Sequence, residues 1–466
     1  MKPSRFGLGA VGLFVTAALV AGTGTANAAG LALPAPWAAC VKRSGPIPLG
    51  ATEAGRVNVD PRLQDITLHS QAMHADVHVD VLVPTGYNPS SGTRYPVLYL
   101  LHGATGSYRD WPAHGVEGFM GNIPMIVVMP DDGFNGSYSD WYGSELIELG
   151  QPPAWESFHT GELVPWIDAH YPTIPAPGGR FIAGLSSGGG GAMKYASAHP
   201  GLFGAAGEFS GAVNTDLPGF SGTASLIWDL GYVPGFGPPG HCTWGDPATQ
   251  EVVWQDNDPT YLAANLAGTR LFLASGTGQP GPLDPPLALP DAVESTIWSM
   301  NQALDASLNA AGVGHTNDFY GPGTHTWPYW TRELGRFLTW LAPTAGTPVS
   351  APGGFALRSA RPSFGAWGWT FTAHRNVEEF AYLTGVGPGG LTATGSGTLD
   401  VTTAAVYHPG AIYALRIGVM KRSIGAGPDG RLRFTVDLGP SHLQQQTDFG
   451  PGATAGWPTV TVSITG

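Results

Sequence analysis

Four short runs of almost unbroken apolar residues, Arg180–Ala183 with Val97–Leu101, Ile126–Met129 and Leu271–Ala274, constrain the chain most. A strand with one wet face alternates polar and apolar residues with period two. A run without that alternation must be covered on both sides, the condition of a parallel strand inside an α/β sheet. Helical spacing fills the intervals: Glu156–Ala169, Ala292–Ala311 and Thr331–Leu341. Strand and helix in alternation predict a doubly wound, mostly parallel sheet. The stretch Asp76–Val81 does alternate and predicts a half-wet strand, with Gln64–His69 as its partner.

The pattern changes at Pro343-Thr344-Ala345-Gly346-Thr347-Pro348. Beyond it, short alternating runs such as Leu399–Thr403, Arg431–Val436 and Val460–Ile464 are separated by Gly and Pro turns, which predicts a sandwich-like all-β domain. The expected division is a signal peptide at 1–28, an irregular segment at 29–55 and a catalytic domain at 56–342. A linker at 343–350 and an all-β domain at 351–466 complete it. The leader reading rests on Lys2 and Arg5, an apolar stretch Leu8–Ala21 and the small-x-small site Ala26-Asn27-Ala28. It predicts an exported protein, extracellular or held at a cell wall. In an oxidising compartment the only two cysteines, Cys40 and Cys242, are expected to pair. A formal charge of −13 with scattered basic residues argues against nucleic acid as a partner. No apolar run of spanning length follows the leader, so no internal membrane span is expected.

The chemistry centres on Gly184-Leu185-Ser186-Ser187-Gly188, a G-x-S-x-G nucleophile elbow. With 69 Gly and 27 Ser in the chain, chance alone supplies roughly 0.6 such matches, so context decides. The apolar run Phe181-Ile182-Ala183 precedes it and the helix-capable Ala192–Ala198 follows. Ser187 is a weaker nucleophile candidate because glycines do not flank it at the required offsets. A serine needs a base, and the base an orienting acid, in chain order Ser, acid, His. Of His199, His241, His315 and His325, the last lies in a loop just past the expected strand Asn317–Tyr320. His199 follows the elbow helix, and His315 lies at the wrong end of its strand. The acid should follow Leu271–Ala274, where Asp284, Asp291 and Glu294 are candidates. Spacing does not choose between Asp291 and Glu294.

These residues together resemble the esterase D-like α/β-hydrolases, most closely the mycolyltransferases of the antigen 85 complex. The resemblance runs over about residues 60–342. It includes Tyr138-Ser139-Asp140-Trp141-Tyr142, Trp155-Glu156-Ser157-Phe158 with Glu162-Leu163, the elbow, Asn309-Ala310-Ala311-Gly312 and Gly323-Thr324-His325-Thr326-Trp327. It implies an α/β-hydrolase fold, Glu294 as the acid with Asp291 as fallback, and an oxyanion hole from the N–H groups of Ala104 and Ser187. It implies too that Trp327 lines the substrate site. The family's Asp-Gly-Leu-Arg, whose Asp and Arg help hold trehalose, is replaced here by His102-Gly103-Ala104-Thr105. His102 is then expected either to touch substrate or to fix the oxyanion loop. The expected activity is a secreted serine ester hydrolase, acting on acyl esters without metal or organic cofactor. An alternative is an acyltransferase that moves a fatty or mycolic acyl group to trehalose or another cell-wall sugar. A further alternative is a non-catalytic glycan binder using β-domain aromatics such as Trp367 and Trp369.

Overall fold

The structure, a computed structural model, describes residues 40–133, 136–145, 151–215, 242–445 and 454–466. The leader reading and His241 lie outside the described residues. The principal sheet has nine strands in the order β11-β10-β9-β8-β5-β6-β4-β3-β2. Here β2 is Ala51–Asn58, β3 Leu63–Ser70, β4 Ala75–Leu82, β5 Val97–Leu101 and β6 Ile126–Pro130. The rest are β8 Arg180–Leu185, β9 Ala205–Phe209, β10 Arg270–Gly276 and β11 Thr316–Gly321. From β11 to β6 every pairing is parallel; β4, β3 and β2 add an antiparallel wing. This is the α/β-hydrolase fold. Every residue of β5, β6, β8 and β9 is buried, which is why their sequences do not alternate.

Helices α1 (Val164–His170), α2 (Ser187–Ala198), α3 (Ala292–Ala310) and α4 (Trp327–Leu341) supply most of the cover. The expected helix from Glu156 opens with a π-helical stretch, Ser157–Leu163, before α1 continues it. β9 was not legible in the sequence. Its residues Ala-Ala-Gly-Glu-Phe have low strand propensity, and the position is fixed by close approach. A Cβ on Gly207 would lie 2.6 Å from the Phe337 ring of α4.

The segment expected to be irregular at 29–55 is corrected in part. Cys40–Lys42 forms a strand, β1, paired with β7 (Gly143–Glu145), and β2 begins at Ala51. β2 is mostly exposed and has no hydrophobic alternation; pairing with β3 makes it a strand. Cys40 and Cys242 are bonded across a separation of 202 residues. Among the described residues no helix is long and apolar enough to cross a membrane.

The C-terminal region is all-β: a six-stranded sheet, β12-β15-β16-β21-β18-β19, faces a four-stranded one, β13-β14-β17-β20. Strand β12 is Phe355–Ser359, β13 Ser363–Ala366, β14 Trp369–His374, β15 Ala381–Gly387 and β16 Gly390–Thr394. Then come β17 Thr398–Thr402, β18 Ile412–Ile417, β19 Met420–Gly425, β20 Arg433–Asp437 and β21 Thr459–Thr465. Its buried core includes Leu357, Phe371, Leu383, Val401 and Val436. Trp369 belongs to that core. Trp367 covers Gly201 and Gly268 of the principal body, where a Cβ would lie 2.9 and 2.7 Å from its ring. Neither ring is an open glycan platform, because each is consumed by packing.

Polar contacts fasten this region to the body. Arg361 Nε donates to Asp256 Oδ2 at 3.1 Å and its Nη2 to Glu156 Oε2 at 3.1 Å. The Asn265 side chain bonds the Arg358 backbone N–H and C=O, both at 2.9 Å. The connecting residues are strapped down as well, with the Gly346 N–H donating to the Gly178 carbonyl at 2.8 Å.

Candidate active site

β5 and β8 are neighbours at the point where strand order reverses, the crevice in which open α/β sheets place ligands. Ser186 follows β8. Its backbone is at φ 53°, ψ −122°, outside the regions an L-residue prefers. The strain is held by three bonds. The Ser186 N–H donates to Phe209 O at 3.0 Å, and its carbonyl accepts from Gly190 and Ala212 N–H at 3.1 Å each. The flanking glycines are required by contact. A Cβ on Gly184 would stand 2.4 Å from Gly188 O, and one on Gly188 would stand 2.3 Å from His102 O.

His325 comes from the loop between β11 and α4. Its Nε2 lies 2.9 Å from Ser186 Oγ and its Nδ1 2.7 Å from Glu294 Oε2. Of the acid candidates, Glu294 therefore meets the imidazole. Its side chain is fully buried. The second oxygen, Oε1, accepts from Gly276 N–H at 2.7 Å, Ser210 Oγ at 2.9 Å and Ser275 Oγ at 3.2 Å. A carboxylate without water needs such donors. The other two candidates hold the same loop by its backbone and neighbours. Asp291 caps α3, accepting from Val293 and Glu294 N–H, while its Oδ2 accepts from the His325 backbone N–H at 2.9 Å. Asp284 accepts from Thr324 Oγ1, from Gly281 N–H at 2.7 Å and from Tyr329 OH at 2.8 Å.

The Ala104 and Ser187 amides donate to no protein acceptor among the described residues. Ser187 opens α2, where the helix N-terminus favours negative charge. His102 does not point a free nitrogen outward. It is buried, its Nε2 accepts from Asp132 N–H at 3.0 Å, and its Nδ1 is 2.7 Å from Gly103 O. Tyr138 OH donates to His102 O at 2.7 Å. Asp132 closes the clasp by accepting the Tyr138 N–H, and burial pushes its carboxyl well above the usual range. Trp327 stacks on His114 with ring centres 3.5 Å apart and packs edge-on against Trp111 and Trp330.

His199 and His315 are occupied elsewhere, paired with Glu156 and Asp305 at 2.7 and 2.8 Å. The motif residues Asp140, Glu156 and Glu162 are scaffold. Asp140 accepts from Ser157 N–H and Oγ, and Glu162 from the N–H groups of Gly50 and Ala72. Ser210, Ser275 and Tyr138 were not singled out for these contacts. Ser210 follows β9, the strand that carried no sequence signal. Between β10 and α3 the loop Gly278–Pro290 exposes Leu283 (40%), Leu287 (98%) and Leu289 (81%). Leu287 has φ 68°, and the loop is tied to the His325 segment through Asp284 and Asp291.

The Esterase family model matches residues 70–341. A protein named esterase Rv1288 of Mycobacterium tuberculosis is 30% identical over 273 residues, 57% of this chain and 56% of that protein. The chain thus spans little more than half the length of that relative. The diacylglycerol acyltransferase/mycolyltransferase Ag85A of the same organism is 30% identical over 272 residues, 56% of this chain and 78% of that protein. Among solved structures, MPT51 of Mycobacterium tuberculosis is 23% identical, covers 63% of this chain and 99% of its own, and gives a TM-score of 0.48.

Proposed function

The chain belongs to the Esterase family, and from that premise we propose a serine ester hydrolase that works through an acyl-serine intermediate. The observation that carries the reading is the unbroken relay Ser186 Oγ, His325, Glu294, with contacts of 2.9 and 2.7 Å. His325 Nε2 takes the Ser186 proton as Oγ attacks the ester carbonyl. Glu294 fixes the imidazole tautomer and stabilises the imidazolium. The Ala104 and Ser187 N–H groups receive the oxyanion, each donor contributing about 3–4 kcal/mol to transition-state stabilisation in comparable sites. The imidazolium then gives its proton to the leaving alcohol. Water, deprotonated by His325, attacks the acyl-serine and releases the acid and Ser186.

In this reading His102 is a positioning residue that fixes the oxyanion loop, and Trp327 with the leucines of 278–290 forms an apolar rim for the acyl group. Hydrolysis is favoured over transfer to a sugar because His102, in place of the family's Asp, turns its ring inward onto Gly103 and Asp132, and Thr105 stands in place of its Arg. A second reading, acyl transfer to a sugar hydroxyl, draws on the 78% coverage of the mycolyltransferase Ag85A. The leader at 1–28 and the Cys40–Cys242 bridge support export. N-terminal sequencing of protein recovered from the medium tests it: a start at Ala29 is expected, and a retained Met1 would refute it.

Product partition tests the activity. Purified protein receives short- and long-chain acyl esters with and without trehalose, and mass spectrometry compares free acid with acyl-sugar against a Ser186→Ala blank. Free acid dominating in both conditions is expected. Acyl-trehalose above the blank would establish the second reading, and turnover undiminished in the blank would remove Ser186 from the chemistry.

A further inference from the structure

The hairpin of β18 and β19 combines two features that packing does not explain. Its tip exposes Val419 (95%) and Met420 (61%), with Ile412 (66%) at its base. Around that tip stand Arg416, Lys421 and Arg422, all exposed and none in an ion pair among the described residues. The other basic residues of 351–466 are engaged. Arg361, Arg375, Arg431 and Arg433 face carboxylates, and Arg358 lies over Tyr261 and Tyr382. Between Ile412 and Gly425 there is no acidic residue, in a chain of net charge −13.

Position reinforces the pattern. β12, at one edge of the six-stranded sheet, is the strand bonded to the body through Asn265. β19 is the opposite edge, five strand spacings or about 24 Å away, so the hairpin stands clear of the body. Lysine and arginine on an edge strand also discourage pairing with other chains. That accounts for Lys421 and Arg422 and leaves two large apolar side chains at the tip unexplained.

We propose that this hairpin docks the protein on an anionic lipid surface, with Val419 and Met420 entering the apolar layer while Arg416, Lys421 and Arg422 bind headgroup phosphates. Cations alone would suit any polyanion; the exposed apolar tip selects a surface with an apolar interior. Each basic side chain near such a surface strengthens binding by about fivefold, so three together give roughly a hundredfold preference over neutral lipid.

The test is co-sedimentation of the whole chain with vesicles of phosphatidylcholine, with and without phosphatidylglycerol, alongside dextran sulfate binding. Melting temperature and hydrolysis of a soluble short-chain ester serve as controls on every variant. Binding to the mixed vesicles that weakens in high salt is expected, with Lys421→Gln/Arg422→Gln losing about 25-fold. Val419→Ser/Met420→Ser should weaken vesicle binding and leave dextran sulfate binding unchanged. Three results would each overturn the proposal: no vesicle binding by the parent, equal binding to both vesicle types, or undiminished binding by either double variant. Should the glutamine pair lower the melting temperature, the serine pair alone decides.

Discussion

Helix α2 has a different fate at each end. Its N-terminus carries Ser186 and Ser187, and its last two turns put Lys194 and then His199 into a cluster with Glu156, Arg361 and Asp256. Both ends bury carboxylates. At the first, Glu294 receives three donors on one oxygen and an imidazole on the other, and the relay stops at the half-buried Ser186 hydroxyl. At the second, Glu156 meets Lys194 at 3.2 Å, His199 at 2.7 Å and Arg361 Nη1 and Nη2, and the valences close on one another. Burial pushes the Glu156 carboxyl up, but Arg361, Lys194 and His199 outweigh it and hold it well below the usual range. A buried charge with every partner inside the protein serves cohesion; one whose chain of partners ends at the half-buried Ser186 hydroxyl is the one proposed to serve chemistry.

That contrast can be broken at either end. The largest effect is expected from Glu294→Gln, which keeps the shape and loses the tautomer control: kcat falls roughly 10⁴-fold at neutral pH while the melting temperature holds. A loss under tenfold would mean that Glu294 does not orient His325. Next comes Arg361→Ala. It takes from Asp256 its ion-pair partner and from Glu156 one of three, and should cost about 3–5 kcal/mol in urea unfolding, with activity per folded molecule unchanged. If stability is untouched, the cluster is solvated and the comparison fails.

The acid limb follows from the sign of the Glu156 shift. A carboxyl held low in the folded state adds stability that is complete above its unfolded value, near 4.3. That stability is lost as pH falls through the folded value. The parent should lose stability below about pH 4.3, and Glu156→Gln, less stable at neutral pH, should show a flatter acid limb. Parallel curves for the two proteins would assign acid unfolding to other groups. The smallest effect is expected at the rim: Leu287→Ser with Leu289→Ser should raise KM a few-fold for long acyl esters and leave short ones alone. An equal change for both chain lengths would show that the loop does not touch the acyl group.

How much of this was legible depends on how local each signal is. The buried parallel strands showed themselves because burial on both faces removes alternation, as in Val97–Leu101. The elbow showed itself because Gly184 and Gly188 are demanded by backbone contacts under 2.5 Å. The strand Ala205–Phe209 did not, since its place comes from Phe337 pressing on Gly207. Trp367 and Trp369 can be read as core or, less readily, as a ligand surface; they are packing, because exposure belongs to the neighbours and not to the residue.

The sequence by itself determined the buried parallel strands β5, β6, β8 and β10 with their intervening helices, the position of Ser186 and the loop that bears His325, all set by periodicity and short-range sterics. Spacing did not choose between Asp291 and Glu294, and the family resemblance pointed to Glu294. The tertiary structure gives each carboxylate its place. Asp284, Asp291 and Glu294 all reach the same loop, and which of them meets the imidazole depends on the register of α3 against β10 and β11. Such register is the sum of many packing contacts over the whole sheet, which no local run of residues encodes.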